Sequence, residues 1–188
     1  MVNKEIKKQF GEHIEAVKKN YHLMDKIELA ANTVVESLKN SGKLLVCGNG
    51  GSAADSQHIT AELVGKYEKN RRALAAIALT TDTSMLTAWS NDDCFENVFA
   101  KQVEGLGKKD DVLIGISTSG NSENVIRALK VAKKLGLKTI SFLGRDGGRT
   151  KGMTDIELIV NSNRTSRIQE VHELCYHIMC GLIEDNFS

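Results

Sequence analysis

Five short apolar runs punctuate the chain, separated by longer stretches in which apolar residues recur every three or four positions. Leu44-Leu45-Val46-Cys47 and the runs at 75–79 (AAIAL), 112–116 (VLIGI) and 139–143 (TISFL) are nearly continuous. That pattern predicts strands of a parallel sheet covered on both faces. The run at 156–160 (IELIV) alternates and suits an edge strand. Between them the pattern predicts helices over 52–66, 96–106 and 123–135, and a long final helix over 164–184. The last carries Ile168, Val171, Leu174, Cys175, Ile178, Met179, Leu182 and Ile183 on one face. Two amphipathic helices precede the first strand, one with Phe10, Ile14 and Val17, the other with Ile27, Ala30, Ala31, Val34, Val35 and Leu38. Alternating strands and helices predict an α/β fold, a doubly wound five-stranded parallel sheet with two additional N-terminal helices. The expected organisation is one domain, with a helical pair at 1–41 and an α/β core at 42–188.

Composition changes this picture little. A length of 188 residues, 41% of them apolar and 26% charged, describes an ordinary globular protein, and a net charge of +1 gives no electrostatic case for nucleic acid or an anionic membrane. No run approaches the ~20 apolar residues of a membrane span, and the first residues lack a signal-peptide core, so a cytoplasmic chain is expected. Cys47, Cys94, Cys175 and Cys180 form no zinc-finger or redox pair and read as thiols of a reducing compartment. Lys18-Lys19 and Arg71-Arg72 read as solvated charge.

Two loops stand out. Gly48-Asn49-Gly50-Gly51-Ser52 joins the first strand to a helix, and Ser117-Thr118-Ser119-Gly120-Asn121-Ser122 joins the third to another. Glycines admit close backbone approach, and helix N-termini present unpaired N–H groups that favour anions. Helix capping explains the same residue types, so one such loop leaves both readings open. With strand order 2-1-3-4-5, both loops would flank the crevice where ligands bind in open α/β sheets. A nucleotide is disfavoured. Gly48-x-Gly50-x-x-Ala53 satisfies the dinucleotide pattern, but the first acid after the second strand, Asp82, falls more than thirty positions after Gly48, and no Lys-[Ser/Thr] follows the glycines.

His58 and Glu62 are four apart and share a helix face, as do Gln169, Glu173 and His177 in the last helix. Periodicity alone makes these solvated i,i+4 pairs contributing a few tenths of a kcal/mol. His13, His22 and His172 lack comparable companions. The helical zinc signature HExxH is absent.

Taken together, GNGGSAADSQHITAEL, SNDDCF, LIGISTSGNSENV and SRIQEVHELCYH resemble, in order and spacing, the phosphoheptose isomerases of the sugar isomerase (SIS) fold, over essentially the whole chain. The resemblance implies a flavodoxin-like sheet and a homotetramer with active sites at subunit interfaces. It also implies interconversion of sedoheptulose 7-phosphate and D-glycero-D-manno-heptose 7-phosphate, the entry to bacterial heptose for lipopolysaccharide and other surface glycans. On the matching positions it places the phosphate at Ser117, Thr118, Ser119 and Ser122. Further substrate contacts fall at Asn49, Gly50, Gly51, Ser52, Asn91, Asp92, Glu62 and Gln169. Zinc ligands fall on His58, Glu62, Gln169 and His177, and the catalytic base and acid on Glu62 and His177. Moving a carbonyl between C1 and C2 through an enediol needs a proton shuttle and stabilisation of an oxyanion, which a carboxylate and a Lewis acid provide. Non-catalytic SIS relatives that bind the replication initiator DnaA are the rival class; the resemblance implies that they lose the acid and histidine found here at 62 and 177. Arabinose 5-phosphate isomerases commonly carry an additional C-terminal CBS pair, for which this chain has no room.

Overall fold

The computed structural model describes residues 3–188. Helices α1 (Lys4–Lys19) and α2 (Met24–Lys39) lead into β1 (Leu44–Gly48), α3 (Gly51–Val64), β2 (Ala76–Ala78), α4 (Thr83–Asp92) and α5 (Val98–Leu106). There follow β3 (Val112–Ser117), α6 (Glu123–Leu135), β4 (Lys138–Gly144), β5 (Ile156–Val160) and α7 (Thr165–Glu184). All pairings are parallel and the order is β2-β1-β3-β4-β5, the arrangement under which the two loops share a crevice. Gly48, which ends β1, is in register with Ile116 near the end of β3, so the two loops leave the sheet side by side.

The unbroken apolar runs have the predicted cause. Every residue of β1 and β3 is buried, and alternate side chains feed two different cores. Leu44, Val46, Val112, Ile114 and Ile116 pack with α1, α2, α3 and α7 through Ala31, Val34, Ile59, Leu63, Val171 and Met179. Leu45, Cys47 and Leu113 face the other way, onto Val98, Phe99 and Val103 of α5 and Val125, Leu129 and Ala132 of α6. Burying each large aliphatic side chain contributes about 1.5–3 kcal/mol, so both layers are held chiefly by the central strands. The bottom edge is tied by Asp111, whose carboxylate accepts from the Lys43 and Lys108 backbone N–H groups and from Lys43 Nζ at 2.6 Å. Burial pushes the Cys47, Cys175 and Cys180 thiols up to about 12, so these act as apolar side chains.

Several expectations need correction. The run at 75–79 yields only a three-residue edge strand in which Ala78 alone is buried, because among the described residues no strand lies beyond it. α4 was not legible as a helix: none of its residues is fully buried and its apolar face is reduced to Met85, Leu86 and Trp89, although Asp82 caps it by accepting from Met85 N at 2.9 Å. The apolar face of α7 is split. Ile168, Val171, Cys175, Met179 and Ile183 are buried, whereas Leu174, Ile178 and Leu182 are exposed.

Candidate functional site

The site is built where α3 and α7 run side by side. Gly51 abuts Gln169, Gln169 meets Asp55, and His58 meets Tyr176, so the contacts advance together along both helices. The close approach depends on small residues: a Cβ at Gly51 would overlap the Gln169 side-chain amide. The buried face of α3 is correspondingly rich in small and polar groups, Ser52, Asp55, Ser56 and Thr60 among them.

At the centre of the seam, ligand atoms of His58, Glu62 and His177 all lie within 4.8 Å of one another. His58 Nε2 is 3.0 Å from Glu62 Oε1, and the Glu62 side chain is only 19% exposed. The i,i+4 pair foreseen as solvated is therefore half-enclosed, and the third member comes from a helix more than a hundred residues away. The aromatic side chains wall it in: Tyr176 lies edge-on to His58 and to His177, and Tyr67 stacks on His177 with centroids 5.9 Å apart. Two imidazoles and a carboxylate form a nitrogen and oxygen donor set of the kind that suits zinc, so the residues fit that ion. Gln169, the fourth implied ligand, donates through Nε2 to both Asp55 oxygens at 3.2 Å, which directs its carbonyl oxygen away from Asp55. Burial raises the Asp55 pKa; the hydrogen bond from Gln169 opposes this and the Glu173 charge adds to it.

The backbone carrying Glu62 is fixed from below. Arg71, expected on the surface, has a side chain only 1% exposed. Its Nη2 donates to the Glu62 carbonyl at 2.6 Å and its Nη1 to those of Leu63, Gly65 and Arg72, satisfying the C-terminal carbonyls of α3. Arg71 Nε faces Glu184, which is equally buried and accepts from the backbone N–H groups of Tyr67, Glu68 and Lys69. Burial acts to raise the Glu184 pKa, but those three bonds and Arg71 outweigh it and hold the carboxyl below its ordinary value. His13 also has a distant partner, Glu170 at 2.7 Å, which local reading could not supply.

The second loop differs in kind. Ser117 Oγ and Ser122 Oγ are 3.0 Å apart, and Ser119 Oγ accepts from Asn121 N. Ser122 occupies the N-cap of α6 without a side-chain capping bond, so helix capping does not account for its hydroxyl. Gly120 has φ +66°, and a Cβ there would collide with the Gly147 carbonyl, so only glycine fits this turn. Thr150 donates through both N and Oγ1 to the Gly120 carbonyl. Glu123, next to the loop, is neutralised by Arg127 and Arg149, whose hydrogen bonds lower its pKa.

The first loop is joined to the first turn of α6 by Asn49 and Asn124, whose side-chain amides exchange a reciprocal pair of bonds at 2.9 and 2.8 Å. Asn49 and Gly50 also line a cavity of about 130 Å³ with Thr80, Leu86, Phe95 and Phe99. Ser52 is buried in the first turn of α3. Asn91 and Asp92 end α4, exposed and bonded to each other rather than to either loop. Asp55, Tyr67, Arg71, Asn124, Tyr176 and Glu184 were not foreseen as parts of this site. The Asp82 cap was the one local signal available for α4; the others depend on tertiary contacts.

Residues 8–144 match the SIS domain family, and the chain belongs to it. Its full-length relatives within that family include phosphoheptose isomerases. It is 53% identical to the phosphoheptose isomerase of Helicobacter pylori strain P12, covering 100% of this chain and 98% of the relative, and 56% identical to that of Nitratiruptor, over 97% and 98%. The solved phosphoheptose isomerase of Neisseria gonorrhoeae superposes with a TM-score of 0.91 at 48% identity, covering 96% of this chain and 97% of the other. That of Francisella tularensis gives 0.93 at 42%, over the same shares.

Proposed function

We propose that this chain is an aldose–ketose isomerase that converts sedoheptulose 7-phosphate to D-glycero-D-manno-heptose 7-phosphate through an enediol, feeding bacterial heptose biosynthesis. The carrying observation is the convergence of His58, Glu62 and His177 on the seam of α3 and α7, two helices that meet beside the first loop where Gly51 abuts Gln169. The family relatives support the substrate class.

In this reading Ser117, Thr118, Ser119 and Ser122 hold the phosphate with hydroxyls and with the N-terminus of α6. Asn49, Gly50, Gly51 and Ser52 line the sugar, together with Gln169, Asn91 and Asp92. The Glu62 carboxylate takes a proton from one of C1 and C2 and returns it to the other. Its Oε1 faces His58, while Oε2 has no hydrogen-bond partner among the described residues and is available for that proton. His177 moves the proton at the sugar oxygens, with the Tyr67 ring shielding it from solvent. Zinc held by His58, Glu62, Gln169 and His177 would supply Lewis-acid stabilisation of the developing oxyanion. Because one apolar cluster runs from Ala16 and Leu23 through the strands to Ile183, we read the helical pair and the α/β core as one domain. The exposed Ile6, Phe10 and Ile14 of α1 and Leu174, Ile178 and Leu182 of α7 are in keeping with a homotetramer that completes its active sites across subunit interfaces. Among the described residues no helix is long and apolar enough to cross a membrane, which fits the proposed cytoplasmic setting.

The test is turnover of sedoheptulose 7-phosphate before chelation, after it, and after zinc is restored. Loss on chelation and recovery with zinc is the expected result. Absence of turnover in every state would return the chain to the class of non-catalytic SIS proteins.

A further inference from the structure

One contact at the seam is not explained by packing. Tyr176 is 1% exposed, and its hydroxyl lies 3.0 Å from His58 Nδ1, on the opposite side of the imidazole from Glu62. His58 is its only hydrogen-bond partner among the described residues. A buried phenol oxygen with a single partner is there for that partner, since an unmatched hydroxyl costs about 1–3 kcal/mol.

The geometry fixes the proton inventory. Glu62 Oε1, a carboxylate oxygen, can only accept, so at neutral charge His58 Nε2 carries the N–H that points to it. Nδ1 is then a bare acceptor, and the Tyr176 hydroxyl must donate to it. If Nε2 instead gives its lone pair to a metal, the imidazole proton sits on Nδ1 and the same hydroxyl must accept. A phenol does either by rotating its O–H; a carbonyl or a carboxylate, the usual partners of a ligating histidine, can only accept.

We propose that Tyr176 is the positioning residue that lets His58 exchange Glu62 for a metal ion while keeping a hydrogen bond on Nδ1 throughout. The inference rests on the metal site proposed above. No net charge moves on the ring: one N–H is exchanged for the other through solvent, and the hydroxyl turns from donor to acceptor. Glu62 Oε1, which faces the imidazole in the metal-free protein, would thereby be released from His58 and become available to the ion, which Glu62 is itself proposed to help hold.

The experiment pairs a variant with a direct reading of the wild type. Long-range proton–nitrogen correlation spectra of nitrogen-15-labelled protein at about pH 8, where an ordinary histidine is neutral, report which His58 nitrogen is protonated. The expected result is Nε2–H without metal and Nδ1–H with zinc. Tyr176→Phe keeps the ring and removes one oxygen. It should weaken zinc binding about tenfold in competition with a chelator, and give a mixture of His58 tautomers in the metal-free state. The metal-free melting temperature should stay within about 4 °C of the wild type. Equal zinc affinity in the two proteins, or an Nδ1–H tautomer in metal-free wild type, overturns the role of Tyr176 and leaves the metal site standing. A wild type that binds no zinc overturns both.

Discussion

The seam between α3 and α7 and the serine loop after β3 are built from opposite materials. The seam is made of groups whose charge can change, Asp55, His58, Glu62 and His177; Asp55 and His58 are held by partners on α7, and Glu62 by His58 four residues before it. The loop over 117–122 contains no titratable side chain. It is shaped by neighbours on the next turn, Thr150 and Arg149, and by a glycine whose φ no other residue adopts comfortably. The difference follows from the work proposed for each. Moving a proton requires groups that ionise, and their poise depends on burial and on exact neighbours. Holding a phosphate requires only fixed dipoles and hydroxyls, which a loop and a helix N-terminus supply without ionisable groups.

The contrast can be broken most sharply at Glu62. Replacing it with Gln leaves volume and burial almost unchanged but removes the proton acceptor, so turnover should fall about 10³-fold while phosphate binding persists. Single-turnover kinetics alongside titration with inorganic phosphate would separate the two, and retained turnover would remove Glu62 from the role of base. A smaller effect is expected at His172, which anchors α7 to the sheet. Its Nε2 donates to the Leu143 carbonyl at 2.9 Å, Nδ1 is buried with no partner among the described residues, and burial lowers its pKa to about 4. The neutral form is the folded form, so this contribution is complete above about pH 6.5 and is lost as pH falls toward 4. The depression corresponds to about 3 kcal/mol. Urea unfolding at about pH 7 and about pH 4.5 should show this loss in the wild type, and a smaller one in His172→Gln, whose amide can still donate to Leu143. Equal acid sensitivity in the two proteins would place it elsewhere than in α7.

What was legible in the sequence divides along the same line. The buried central strands announce themselves because both of their faces are covered, and the serine loop because its chemistry is contiguous. The edge strand β2 and the helix α4 were misjudged or missed, since β2 buries one residue of three and α4 packs little more than Leu86 and Trp89 against the core. Within the seam, spacing identified which residues share a helix face, but could not distinguish a solvated pair from an enclosed one. That distinction depends on Tyr176 and His177 arriving from α7 and on Arg71 folding back under α3, contacts that span up to 118 residues. Arg71 is the clearest case: beside Arg72 it reads as surface charge, yet the carbonyls left open at the end of α3 and the carboxylate of Glu184 draw it inside.

The loop offers the smallest test and the most discriminating one. A serine at a helix N-cap ordinarily contributes about 0.5–2 kcal/mol through its side chain, and its loss is felt in stability. Ser122 makes no such bond; its hydroxyl faces Ser117 instead. Ser122→Ala should therefore leave the melting temperature nearly unchanged. If the hydroxyl is kept for the phosphate, KM should rise about tenfold with kcat held, the signature of binding lost equally from ground and transition states. The opposite outcome, a lowered melting temperature with an unchanged KM, would make Ser122 a structural cap. The separation between a seam that moves protons and a loop that holds anions would then have to be drawn without it.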